Sequence, residues 1–286
     1  MPFVNAQSDL LFNNSGINAQ AFNPASNENN NSLNAYFGVH QQWVGWEDAP
    51  NMQWLHASTF FDRSNMGVSL NINNQSVGAE LTQNIKVGYS YRIYVNGGHQ
   101  LSFGLAGGLY FRKLDFTKLH FEEDEQSIPL SDERRTYADF DFGFEYVYNN
   151  LKIGISSNHI TVNNKHATVF KIPIQNHVYA RYNFDVGNDI ILTPGIAYHR
   201  NASIDIYEIS VDMRYKEIFN AGIVYRHSTS LIFRAGIRIS DVFDIYYAYD
   251  LGAGEFRNYN SGSHEIILRG KFLRKPRNLN SPRFMD

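Results

Sequence analysis

At 286 residues with a net charge of −3, the chain has no basic surplus to recruit a nucleic acid, and having no cysteine it can form neither disulfides nor thiolate zinc sites. Hydrophobic residues make up 43%, aromatics 15% and charged residues only 19%, a balance that suits pleated strands better than helices. No stretch approaches the roughly 18 consecutive apolar residues of a transmembrane helix, so a membrane-spanning form would have to be a closed β-barrel.

The chain begins Met1-Pro2-Phe3-Val4-Asn5-Ala6-Gln7, where Val4 and Ala6 fit the small-residue positions of a signal-peptidase site. Residues 1–6 therefore read as the end of an export signal. Residues 7–32, rich in Asn, Ser and Ala without a sustained apolar period, read as an irregular periplasmic lead-in or plug. From Leu33 onward apolar and polar residues alternate with a period of two between turn signals. The clearest runs set Leu101, Phe103 and Leu105 against Ser102, Gly104 and Ala106, and Phe140, Phe142 and Phe144 against Asp139, Asp141 and Gly143.

Strands are expected at 33–43, 53–61, 66–74, 81–95, 99–112, 137–148 and 151–157. They continue at 175–184, 190–199, 204–215, 218–227, 231–240, 243–250 and 263–272. Tight turns follow even-numbered strands, at 149–150, at 185–189 and near Lys216 and Asp241. Long connections, at 44–52, 113–136, 158–174 and 251–262, follow odd-numbered ones, although those near Asn201 and Ser228 are short. Short periplasmic turns and longer external loops make this pattern in an outer-membrane barrel, which puts both termini in the periplasm. The expected fold is all-β, a transmembrane antiparallel up-and-down barrel of about fourteen strands over 33–273. Residues 274–286 are left as a basic periplasmic tail.

The faces agree with that reading. Those carrying Lys86, Arg92, Arg181, Arg214, Arg226, Arg234, Arg238 and Arg269 would line the lumen, and the apolar faces would meet outer-membrane lipid. Tyr89, Tyr91, Tyr215, Tyr247 and Tyr249 would supply aromatic girdles. Periodicity alone leaves open a large soluble β-sandwich or a two-domain all-β protein.

Several stretches resemble the PorP/SprF family of Bacteroidetes outer-membrane proteins, associated with type IX secretion and gliding motility. They are Phe22-Asn23-Pro24-Ala25; Gln42-Trp43-Val44-Gly45-Trp46 followed by Ala49-Pro50-Asn51-Met52-Gln53; Gly154-Ile155-Ser156 through His159; Tyr225-Arg226; Tyr247-Ala248-Tyr249-Asp250; and Gly262 through Leu268. Two departures are Ser26, where the family continues with an aromatic, and Trp46 in place of Phe. The resemblance implies a non-enzymatic barrel that helps secrete or anchor a large surface adhesin through that partner's C-terminal sorting domain. Alternatives are a core component joining the outer membrane to the periplasmic motor ring, and a diffusion porin.

Candidate sites follow. Trp43, Gly45, Trp46 and Pro50, in the first long loop, are candidate partner contacts, since Trp is enriched at binding hot spots; interfacial packing is the alternative. Asp139, Asp141 and Glu145 on one inward face, with Arg226, Arg234 and Arg238 on others, would form either an ion-selective constriction or a lumen of paired charges. Arg274, Lys275, Arg277 and Arg283 would contact periplasmic components or remain a disordered tail. Glu122 to Glu125 lack the ligand spacing of a calcium loop, and no metal or cofactor is expected. Ser263-His264-Glu265 cannot be a catalytic triad, because contiguous residues on a strand alternate faces.

Overall fold

A computed structural model describes residues 13–27, 32–116, 133–160, 172–201, 204–252 and 260–273. The strands are β1 Ser32–Gln41, β2 Asn51–Phe61, β3 Met66–Val77, β4 Glu80–Val95, β5 His99–Leu114, β6 Glu133–Tyr148 and β7 Leu151–Asn158. Then come β8 Gln175–Tyr182, β9 Phe184–Val186, β10 Ile190–Asn201, β11 Ile204–Tyr215, β12 Phe219–Arg226, β13 Ser230–Arg238, β14 Phe243–Gly252 and β15 Ser263–Leu273. All pairings are antiparallel, and β15 returns to β1 from Ser32↔Leu273 to Gln41↔His264, which closes the barrel. β8 and β9 share one register on β10 (Arg181↔Gly195, Phe184↔Leu192). They are one strand interrupted at Asn183, beside Pro194, whose missing N–H removes a ladder donor. Fourteen strands thus surround the lumen, with β9 as the additional piece.

Burial along each strand is inverted relative to a water-soluble sheet. On β4 and β5, Val87 and Leu105 are 64% and 60% exposed, whereas inward-facing Lys86, Arg92 and Ser102 are buried. On β10 and β11 the outward Ile196 and Ile209 are both 61% exposed, while His199 and Glu208 are buried inside. Such an outer surface is tolerable only against hydrocarbon.

Several strands outrun the apolar alternation that located them. β3 extends to Val77, so the connection to β4 is a two-residue turn, short although it follows an odd-numbered strand. β5 reaches Leu114 and β6 begins at Glu133, shortening the expected 113–136 loop. The extensions of β3 (Gln75-Ser76-Val77) and β6 (Glu133 to Thr136) are mostly polar, and the outer face is already polar just before the first of them. Gln53, Asn74 and Gln83 form a cross-strand row on the outer face, with amide contacts of 3.0 and 2.9 Å. The next outward row holds Leu55, Ile72, Ile85 and Leu109; the apolar face thus ends there on β2, β3 and β4, whereas on β5 it continues to Phe111, opposite Gln83. β1 stops at Gln41 rather than residue 43, because Trp43 adopts φ 46°, which ends extended backbone.

Candidate lumen and loop site

Residues 13–27 lie inside the barrel, and the wall supplies their polar partners. Glu265 of β15 is fully buried; its carboxylate accepts the backbone N–H groups of Asn13 and Asn14, both at 3.0 Å, and faces His40 Nδ1 at 3.0 Å. Arg181 donates to the Gly16 carbonyl at 2.6 Å, and Arg92 donates to that of Asn27 at 2.6 Å. Between these points, Phe22 packs edge-on against Tyr179 and His199 and tilts over His177. Asn23 Nδ2 donates to the Phe144 carbonyl at 3.1 Å and to Tyr179 Oη at 3.2 Å. Pro24 and Ala25 press on the wall where Gly104 of β5 faces inward; a Cβ there would collide with their backbone. The described part of this segment, residues 13–27, lies in the lumen and contacts its wall on β4, β5, β6, β8 and β15.

The six inward charges singled out from sequence find partners, but not one another. Lys86 bridges Asp139 and Asp141, at 2.7 Å each, and His159 Nδ1 lies 2.7 Å from Asp139. Glu145 accepts the Tyr179 hydroxyl at 2.6 Å, with Lys152 at 3.7 Å. Arg226 pairs with Glu208 at 2.7 Å and Asp250 at 3.6 Å; Arg234 pairs with Asp212 at 2.9 Å; Arg238 lies 3.3 Å from Asp244.

Three of these contacts follow one rule of register. Gly108 stands between Lys86 and Asp139, Gly222 between Asp212 and Arg234, and Gly154 between Glu145 and Tyr179. A missing side chain on the intervening strand lets partners two strands apart meet across it. Lys86, Glu208, Glu265 and the His177–His199 pair (Nδ1 to Nδ1, 2.7 Å) were not singled out as site residues from sequence, although Lys86 was read as lumenal. Inward Gly residues at alternating positions were the available signal.

Among the described residues, the lumen includes two chambers of different chemistry. One, of about 70 Å³, is lined by Phe22, Lys86, Asp141, His159, His177 and His199. The other, of about 330 Å³, lies toward the short-turn end beneath Gly16 and Ile17.

At the long-loop end the segment after β1 is pinned to the segment before β15. Val44 N–H donates to the Gly262 carbonyl at 2.9 Å, and Ser261 N–H donates back to Val44 at 2.8 Å. Trp43 and Trp46 face each other with ring centroids 6.4 Å apart; Trp46 is 45% exposed and Gly45 is exposed beside it. Pro50 is buried, its carbonyl accepting the Gln42 N–H at 2.9 Å. It therefore holds the loop's base and does not offer a contact surface. Ser263 and Glu265 face inward, while His264 lies on the other face, 2.7 Å from the Tyr247 hydroxyl. Residues 1–6, Glu122 to Glu125 and the tail residues Arg274, Lys275, Arg277 and Arg283 lie outside the described residues.

The family model for type IX secretion system membrane protein PorP/SprF matches residues 4–269. No curated protein matches the sequence. Among solved structures, the chain is similar to the P. putida toluene transporter TodX (11% identity, 90% of this chain and 95% of that one, TM-score 0.53). It is also similar to the Ralstonia pickettii toluene transporter TbuX (11% identity, 87% and 92%, TM-score 0.55). The Acinetobacter baumannii outer membrane protein Omp33 matches at 7% identity over 85% and 98%, with a TM-score of 0.48. At these identities the likenesses to TodX and TbuX establish the barrel fold alone.

Proposed function

The chain belongs to the PorP/SprF family of type IX secretion system membrane proteins, and from that premise we propose that this integral outer-membrane barrel is a non-enzymatic anchor for a secreted surface adhesin. Its external loops would hold the C-terminal sorting domain of that adhesin, with both termini of the barrel in the periplasm. The observation that carries the reading is the union of a plugged lumen with a braced, Trp-bearing loop at the long-loop end. A barrel occupied by its own residues 13–27, with chambers of about 70 and 330 Å³, is poorly suited to general diffusion. The Trp43 backbone sits in a sparsely populated region (φ 46°), and such local strain clusters at binding sites. With Trp46 it gives a rigid aromatic pair of the kind that dominates interface energetics.

The test is co-purification of a tagged sorting domain with the wild-type barrel and with Trp43→Ala/Trp46→Ala in mild detergent. Truncating a hot-spot pair costs about 2–4 kcal/mol, so capture should fall at least about thirtyfold. Undiminished capture by a folded double variant rejects the loop as the contact. A second reading, a link to the periplasmic motor ring, draws on the basic residues Arg274, Lys275, Arg277 and Arg283; removing residues 274–286 would then abolish ring association while leaving adhesin capture intact.

A further inference from the structure

The chamber of about 330 Å³ at the short-turn end differs chemically from the rest of the lumen. Among the described residues, Lys152, Arg181, Arg214, Arg234 and Arg269 line it, against the single carboxylate of Asp212. All five cations belong to inward-facing rows of β7, β8, β11, β13 and β15. Part of this charge is compensated: Arg234 by Asp212, Arg269 by Asp244 at 3.4 Å, and Lys152 by Glu145 at 3.7 Å. Arg214 is exposed to the chamber and makes no ion pair with any described residue. Arg181 spends one N–H on the Gly16 carbonyl and likewise has no ion pair among the described residues. The Nε of Arg234, a residue only 6% exposed, has no hydrogen-bond partner there either.

We infer that this chamber is a binding site for a carboxylate-bearing peptide segment entering through the short-turn mouth. Converging guanidinium groups present planar forks that match carboxylates, and a recess lined by one sign of charge concentrates the field on an incoming anion. Ile17 and Tyr246 supply apolar surface for the aliphatic part of an acidic side chain. The volume is at the lower end of the roughly 300–1,000 Å³ of small-ligand pockets. The barrel's own tail carries Arg274, Lys275, Arg277 and Arg283 against a lone Asp286 side chain, the wrong sign to fill it. The cations that line the chamber all project from inward-facing rows, which favours a segment entering the lumen over a lipid headgroup held in its leaflet.

The experiment uses the full chain purified in detergent and fluorescein-labelled tetraglutamate followed by anisotropy. Saturable binding is expected, weakened by added salt, absent for labelled tetralysine, and reduced about tenfold or more in Arg214→Gln. Arg214 makes no hydrogen bond to residues 13–27 and no ion pair with any described residue, so this variant should fold; the heat-dependent shift of the barrel on electrophoresis checks that. Arg200→Gln, on an exposed pair at the opposite end, should bind like wild type. The site is refuted by an absence of saturable binding, by equal losses in Arg214→Gln and Arg200→Gln, or by inorganic phosphate or anionic lipid vesicles displacing the peptide at equal charge. None of these outcomes bears on the Trp43–Trp46 loop, so failure here and failure of the anchor reading are separable.

Discussion

The two halves of the lumen solve the problem of enclosed charge in opposite ways. Around the plug, carboxylates and cations are matched at close range: Lys86 with Asp139 and Asp141, Arg226 with Glu208 and Asp250, and Glu265 with two backbone N–H groups and a histidine. Below it, five cationic side chains share one lining carboxylate and leave a chamber. Matching lets a lumen close, because buried charges at hydrogen-bonding distance recover much of the desolvation penalty that an unpaired charge would incur in full. A surplus holds it open, since like charges repel and stay hydrated. The upper half is therefore closed by its matched charges, whereas the lower half keeps Arg181 and Arg214 without an ion pair among the described residues.

The largest expected effect breaks the matched half. Lys86→Met leaves two buried carboxylates side by side with the cation between them gone, and removing one partner of a buried pair costs about 3–5 kcal/mol. Thermal melting in detergent should fall sharply, and adding Asp139→Asn should restore part of the loss. If Lys86→Met melts like wild type, the matched half is not held by its charges. Next comes Gly104→Val, which pushes a branched side chain into the Pro24–Ala25 backbone. Overpacking of this kind costs about 1–3 kcal/mol, here spent on unseating residues 13–27. Planar-bilayer recordings should change from closed or flickering traces to steady open steps while the barrel remains folded. Unchanged conductance would mean that the plug does not gate the lumen.

The barrel was largely legible in the sequence because its grammar is local. A period of two fixes which side of a strand each residue takes, and turn residues fix the order. The strand missed as a separate piece, β9, differs from β8 only by the break at Asn183 beside Pro194, which no alternation pattern reveals. Strand ends at Val77, Leu114 and Glu133 lie past the expected bounds because the clean alternation of apolar and polar residues stops before backbone pairing does. Ion-pair partners were illegible for a different reason: Lys86 and Asp139 meet only because register puts Gly108 between them, and register is not written in either strand alone. The plug was named but not seated, since its short Asn- and Ala-rich sequence carries no period, and its fit depends on wall residues such as Gly104, Tyr179 and Glu265 that lie far away in the chain.

The smallest expected effect is the sharpest probe of the comparison. Arg214→Gln removes a cation that touches no described counter-ion, so nothing buried loses its partner. Substitutions away from such features usually fall within about 0.5 kcal/mol, and removing one cation from a chamber with a surplus of them does not favour the destabilising side of that range. Melting should therefore stay level or rise slightly, in contrast with Lys86→Met. A fall of the same size as that of Lys86→Met would mean that Arg214 has a structural counter-ion after all, and the two halves of the lumen would then follow one rule. A level melt combined with lost tetraglutamate binding would instead separate stability from recognition at a single side chain. That is the behaviour expected of a charge kept unmatched for a partner outside the barrel.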